Sequence, residues 1–471
     1  MLPLLPVIVL VPILFILPLL ILDERHSFKI AIASSTAVLA LVAFAAYTGI
    51  TSGFAPLSFS MSYIASLGIS TGLALTRYSN ILLVMSAIVL FAVSLVARNF
   101  IKESARAYNI LFLLISCSTL GLFLSGGFFL FFVFWEFSEI AMFFMIYLFG
   151  GIERRYAATK FLVYSAIASM SLLLGILLLY ANVPAHTFDI SAIALQASAM
   201  PPSVQLAALL LLSFAFMIKM PVFPLHSWLP DAYAEAPANG GMLLSGVMSK
   251  FGAYGFLVML TTLPIASHFT IYFAVLFGFS AVYGAFVAIR QANFRRLVAY
   301  ASFVEMGIAA FGLASMNALA TAGAMYALLG QGLVMSLLFL VAGSVDESFG
   351  TSLIGRIKGV IRSFPGLSYV LVFATFALVG LPLTAGFIGD LLIFTGAFQA
   401  HGAIGLAPLA ALVILGAFMF YVMEKSFFNV SEAIEPYQSP GASVYAAMAI
   451  LIAATVVFGA MPSLLLSPFA I

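Results

Sequence analysis

Six ionisable side chains fall inside apolar stretches of this sequence: Glu136, Glu139, Lys219, Lys250, Glu305 and Asp390. Lys219 makes the strongest demand. It lies near the end of the apolar run 206–221, which breaks at Pro221 and continues through Pro224, His226, Trp228, Pro230 and Asp231. A lysine at the centre of a membrane span costs about 2.5–3.5 kcal/mol on insertion scales, so a chain that keeps one turns it toward a partner or toward water inside the protein. Broken helices at membrane depth are tolerated only where the freed backbone is covered or lines a cavity. Lysine and break together point to a polar path through a bilayer.

The chemistry such groups support is proton transfer. Desolvation favours a neutral amine, whereas a nearby carboxylate favours the ammonium. A carboxylate that shifts relative to a buried lysine therefore loads or releases a proton, and one unit of proton affinity is only about 1.36 kcal/mol. Glu136 is the expected acid partner of Lys219. Glu139, about one turn further along, shares its polar face. Lys250, Glu305 and Asp390 extend the series, and His226, just past the break, has a side chain type that titrates near neutral pH. His26, His186, His268 and His401 sit near span ends or in loops, without the spacing of a metal site. Cys117 is the one cysteine and reads as a small packed hydrophobe. No motif for a nicotinamide, flavin, haem or iron–sulfur group is visible, so no cofactor and no metal is expected in this chain.

The elements that position these groups follow from composition. Of 471 residues, 64% are hydrophobic and 7% charged, against about 25% charged in soluble domains. The chain reads as an all-α polytopic membrane protein. With about 20 apolar residues per span, spans are expected near 2–22, 28–50, 78–98, 108–124, 126–149, 158–181, 204–230, 239–263, 268–290, 296–315, 319–344, 367–398, 403–423 and 441–462, about fourteen in all. Those at 204–230 and 367–398 are broken. The first reads as a retained span rather than a cleaved signal. Residues 51–76 form the longest connection, partly extended. The 47 Phe and 18 Tyr are packing and interface groups, and a net charge of +2 gives no case for nucleic acid.

Basic residues test the count. Arg25, Lys29, Arg98, Lys102, Arg106, Arg154, Arg155, Lys160, Arg290, Arg295, Arg296, Arg356, Lys358, Arg362 and Lys425 fall in or beside loops after odd-numbered spans, and only Arg77 follows an even one. Since positive loops stay cytoplasmic, both termini are expected on the outer side of a prokaryotic cytoplasmic membrane or an equivalent energy-transducing membrane.

An internal echo divides the chain. Met217-Ile218-Lys219-Met220-Pro221 precedes one break, and Leu378-Val379-Gly380-Leu381-Pro382 contains another about 160 residues later. Two spans before each lies an acid, in Trp135-Glu136-Phe137 and Val304-Glu305-Met306. Breaks in matching places of two halves point to a transporter site. Two inverted five-helix repeats are expected, 108–263 and 268–425, each a half-channel, flanked by N-terminal helices in 1–107 and a C-terminal helix in 426–471.

The stretch from Lys219 to Pro237, with His226, Trp228, Asp231 and Glu235, resembles the signature of the antiporter-like subunits of respiratory complex I, the multisubunit sodium/proton antiporters and the membrane-bound hydrogenases. Phe134-Trp135-Glu136, Gly246-Val247-Met248-Ser249-Lys250-Phe251-Gly252, Phe294-Arg295-Arg296-Leu297-Val298-Ala299-Tyr300 and Gly386-Phe387-Ile388-Gly389-Asp390 match as well. The resemblance implies that the acid at Glu136 and the lysine at Lys219 form a pair that sets the lysine's proton affinity. It further implies that Lys250 joins the half-channels and that Asp390 exchanges protons with the outer side. An acid at Asp390 resembles the M-type (subunit 4) branch rather than the L or N types. The chain departs from the family at Glu305, where a polar residue or histidine is usual, at Gln331, where histidine is usual, and at Met335, often lysine.

Two functions fit this resemblance. One is a proton-translocating subunit of a redox-driven complex such as an NADH dehydrogenase, with electrons, quinone and redox centres handled by other chains. The other is a subunit of a multisubunit cation (Na+)/proton antiporter without redox chemistry. Both imply further membrane subunits as partners, other antiporter-like subunits among them. A lipid-modifying enzyme would need a nucleophile or metal cluster that the sequence lacks.

Overall fold

The computed structural model describes residues 4–54, 57–64, 68–429 and 435–469; residues 2–3 of the first expected span lie outside them. Long apolar stretches become helices because only a helix satisfies its own backbone within hydrocarbon. Among the described residues, fourteen helices are long and apolar enough to cross a membrane, as the hydropathy pattern requires.

The first two crossings are α1 (Leu4–Leu14) with α2 (Ile16–Ile21), and α3 (Ser27–Thr51). Two small antiparallel ladders follow, β1 (Ser58–Phe59) with β4 (Leu73–Ala74) and β2 (Ser62–Ile64) with β3 (Ile69–Ser70), so the long connection is partly extended as expected. Then come α4 (Arg77–Phe100), α5 (Ala105–Leu124), α6 (Phe128–Phe149), α7 (Arg154–Asn182) and the short α8 (Ile190–Gln196). The first broken span is α9 (Pro202–Lys219) and α10 (Leu229–Glu235). The next is α11 (Ala238–Leu243), a π-helical turn at Leu244–Met248, and α12 (Ser249–Thr262). The second half runs through α13 (Thr270–Ala288), α14 (Phe294–Ala314) and α15 (Ala318–Phe349), then α16 (Val360–Ser363) and the second broken span, α17 (Pro365–Leu378) with α18 (Ala385–His401). It closes with α19 (Leu409–Val422), α20 (Ala442–Ala460) and α21 (Ser463–Leu466).

Polar side chains set several helix starts. Thr76 and Ser79 form a reciprocal capping box before α4, Asn293 accepts from the Arg296 amide before α14, and Asn317 accepts from Leu319 and Ala320 before α15. Each cap satisfies amides that the first turn leaves unpaired.

The basic residues gather on one face. Arg106 donates to Leu22 O at 2.8 Å, Lys102 pairs with Glu347 at 3.2 Å and Arg295 with Asp346 at 2.8 Å, which brings together the ends of α2, α4, α5, α14 and α15. On the opposite face, Gly126 N donates to Gly72 O, Phe128 N to Phe188 O and Ile190 N to Gly126 O, which ties three connections together.

The buried centre is α15 with α11, α12 and α14; lipid-type exposure falls on α1, α6, α7, α13 and α18. Small residues allow the closest approaches, as in helix packing within membranes generally. A Cβ at Gly330 or Gly389 would collide with the backbone of the facing helix, at Gly386 and Ala327 respectively. That contact seats α18, and with it Asp390, directly on α15.

Candidate proton path

Lys219 is the last residue of α9, 2% exposed, where the helix stops before two prolines. The break is covered by protein. Trp228 Nε1 donates to Ile218 O at 3.0 Å, Phe223 N to Ser280 Oγ at 3.0 Å, and Gly252 lets α12 press against the backbone of Met220. Two backbone groups at the break, Ile218 O and Phe223 N, thus find side-chain partners, as an apolar interior demands.

The partner of Lys219 differs from the sequence expectation. Lys219 Nζ donates to Glu139 Oε1 at 2.9 Å, with both side chains 3% exposed. Glu136, expected in that place, is half-buried, and its Oε1 has no hydrogen-bond partner among the described residues. The two acids share one face of α6, and the height of α9 beside it puts the ammonium one turn further along. Ser169 of α7 donates to Glu139 Oε2 at 3.3 Å. The rings of Trp135 and Phe161 lie 5.5 Å and 5.3 Å from Nζ, within cation–π range.

Within the break, His226 is 6% exposed and packs on Phe303 and Tyr283, with ring centroids 4.6 Å and 5.5 Å away. Its Nδ1 has no partner among the described residues. Beside it, Ser227 Oγ and the Tyr164 hydroxyl are 2.6 Å apart. Asp231 accepts from Lys160 Nζ at 2.7 Å and from Arg296 Nη2 at 2.6 Å. Two residues counted with the basic loops therefore reach inward and bind α10 to α7 and α14. Arg295 Nη1 donates to Ala234 O and Ala236 O, at 3.3 Å and 3.0 Å, closing the C-terminus of α10.

Lys250 is 0% exposed and makes no ion pair among the described residues. Its Nζ donates to Ser245 O at 2.6 Å and Ser249 Oγ at 3.3 Å. Ser245 lies in the π-helical turn, a distortion frequent at functional sites. Ser245 Oγ donates to Ser302 Oγ at 2.8 Å, and Gln331 Nε2 donates to Ser302 O at 3.2 Å. This polar contact joins the π-helical turn, α14 and α15, at the place where the chain lacks histidine. Tyr233 adds a hydroxyl, donating to Leu244 O at 3.2 Å.

Glu305 of α14, 8% exposed, lies within electrostatic reach of both Lys250 and Asp390. Glu305 Oε1 and Gln331 Oε1 are buried acceptors without a hydrogen-bond partner among the described residues. Asp390, 7% exposed, borders a cleft of about 620 Å³ that runs along α18 to Gln399 and is walled by Leu409 and Leu412 of α19. It leads away from the basic face.

The structure thus gathers the expected residues into two groups, Glu136 with Lys219 and Lys250 with Glu305 and Asp390, with His226 at the break beside α14. Sequence reasoning missed Glu139 as the direct partner, the hydroxyl pair Ser245–Ser302, and Asp231 as a junction. The spacing of Glu139 from Glu136 was the available signal for the first; the serines carried none. Among the described residues no cluster of His, Cys, Asp and Glu suited to a metal ion occurs.

Residues 125–416 match the family described as NADH:quinone oxidoreductase/Mrp antiporter, TM. The chain is 31% identical to F(420)H(2) dehydrogenase subunit M of Methanosarcina mazei, covering 98% of this chain and 96% of the relative. It is 34% identical to NADH-quinone oxidoreductase subunit M of Rickettsia bellii over 78% of this chain and 75% of that one. Among solved structures, a chain of respiratory complex I from Thermus thermophilus superposes with a TM-score of 0.89 at 26% identity, covering 99% and 97% of the two chains. A chain of the Mrp complex from Dietzia sp. shares the fold, with a TM-score of 0.84 at 22% identity over 99% of this chain and 51% of that one. With its broken helices, its buried lysines and more than half its length matched, the chain belongs to the NADH:quinone oxidoreductase/Mrp antiporter transmembrane family.

Proposed function

We propose that this chain is a proton-translocating subunit of a redox-driven respiratory complex, whose electrons are carried entirely by other subunits. The observation that carries the reading is the run of enclosed ionisable groups: Lys219 on Glu139 at 2.9 Å, then Lys250, Glu305 and Asp390 in the second group. A bilayer core retains such charges where protons or ions pass. The relatives named as subunits of F(420)H(2) dehydrogenase and NADH-quinone oxidoreductase support the redox setting and the presence of further membrane subunits.

In this reading the basic face is cytoplasmic, both termini lie outside, and 108–263 and 268–425 act as two half-channels. Glu136 and Lys219 take up protons, His226 assists at the break, Lys250 and Glu305 transfer them between halves, and Asp390 releases them along the cleft beside α18.

The test is Lys219→Ala in the assembled complex, in inverted membrane vesicles supplied in turn with NADH and with F420H2. Acidification of the vesicle lumen is expected to stop while the complex remains assembled. Undiminished acidification overturns the reading, and dependence of transport on sodium, with no acidification, replaces it with cation exchange.

A further inference from the structure

Two carboxylates face Lys219 rather than one. Glu136 and Glu139, about one turn apart on α6, project to the same side. Glu139 holds the ammonium at 2.9 Å. Glu136 lies within electrostatic reach of both Glu139 and Lys219, and its Oε1 is shielded and without a hydrogen-bond partner among the described residues. Ser169 stands between them: its hydroxyl donates to Glu139 Oε2 at 3.3 Å and also faces Glu136. Trp135 and Phe161 flank Nζ, so the ammonium is surrounded by aromatic faces that hold a cation at more than one position.

Charge balance turns this geometry into a device. One ammonium neutralises one carboxylate, and a second bare carboxylate among apolar side chains is unfavourable. The three groups together close to neutrality when one proton resides on the carboxylate that the ammonium does not hold.

We propose that Lys219 alternates between Glu139 and Glu136, and that the shared proton moves the opposite way through the hydroxyl of Ser169. As the ammonium leaves Glu139 for Glu136, the O–H bond of Glu136 breaks and its proton joins Ser169 Oγ. The original O–H bond of Ser169 breaks, and that proton joins Glu139. Glu136 loses one O–H bond, Glu139 gains one, Ser169 exchanges one for another, and the net charge of the site is unchanged. Glu139 is thereby assigned a role equal to that of Glu136, with Ser169 as the bridge. The device rests on the translocation reading above and specifies the residues that perform its first step.

The experiment measures acidification of inverted vesicles bearing the whole complex, with NADH and F420H2 as donors, across a pH series, and complex content by native gel. Glu139→Gln and Glu136→Gln are each expected to slow acidification about tenfold, one unit of differential proton affinity, and to displace its pH profile. The double substitution should fall to the level of Lys219→Ala, beyond the product of the single effects. Acidification at the parent rate with an unmoved pH profile in Glu139→Gln overturns the alternation, while a defect in Lys219→Ala leaves the translocation reading standing. Normal acidification in Lys219→Ala overturns that reading itself. Should Glu139→Gln fail to assemble, Ser169→Ala decides: a slowed rate with a displaced profile supports the bridge, and parent behaviour overturns it.

Discussion

Lys250 Nζ donates to the carbonyl of Ser245, five residues earlier, at 2.6 Å. In a regular helix that carbonyl accepts from the amide four residues on. The π-helical turn at Leu244–Met248 shifts the pattern, and the side chain folds back along its own helix instead of reaching an acid. Lys250 is therefore a buried amine held by neutral acceptors, whereas Lys219 is held by a carboxylate. The two lysines occupy electrostatically different sites.

Lys250→Met, near-isosteric and apolar, is expected to preserve assembly, because an apolar replacement removes a buried polar group rather than orphaning a charge. Proton transport should fall by at least about 100-fold, the lower range for loss of a proton-transfer group. Native gels and vesicle acidification read the two effects separately.

Asp231→Asn should destabilise the protein. Asp231 anchors both Lys160 and Arg296, and losing its charge leaves two cations without their counter-ion. Full burial would make this about 3–5 kcal/mol; the partial exposure of Arg296 reduces it to about 1–3 kcal/mol. The detergent-solubilised complex should melt earlier, and adding Lys160→Met should restore part of the loss.

Trp228→Phe keeps the ring but removes the indole donor to Ile218 O, a bond of 3.0 Å. A buried carbonyl left unpaired costs about 1–3 kcal/mol. Because that carbonyl precedes Lys219, amide exchange at 216–222 should accelerate more than elsewhere, as hydrogen–deuterium mass spectrometry would show.

Gly389→Ala places a Cβ against the backbone of Ala327 and should lower the yield of assembled protein sharply. Gly355→Ala, where no atom lies within 4 Å of the added carbon, is expected to match the parent. Quantifying the membrane-inserted protein of both variants distinguishes tight packing from a general intolerance of alanine.

Much of the architecture was legible because insertion into a bilayer is written locally. Span number and the alternation of basic loops depend on hydropathy and charge at each segment, and Pro221 and Pro382 mark the breaks directly. Contacts between helices are a different quantity. Whether Lys219 meets Glu136 or Glu139 depends on the relative height of α6 and α9, which the packing of α7 sets over many residues. Ser245 and Ser302 meet across 57 positions of sequence, and serine in an apolar helix is common enough to carry no signal by itself. Lys160 and Arg296 were legible as basic-face residues, but their lengths let them reach inward to Asp231.

The glycine contacts between α15 and α18 have a mechanical consequence. Where backbones touch with no side chains between them, a roll of either helix brings side chains into collision, which favours α15 and α18 moving as a unit. Asp390 then keeps its place relative to Gln331. Compliance in this half is left to the segment 379–384, where Gly380 and Leu383 both have positive φ, and to the rotations of side chains.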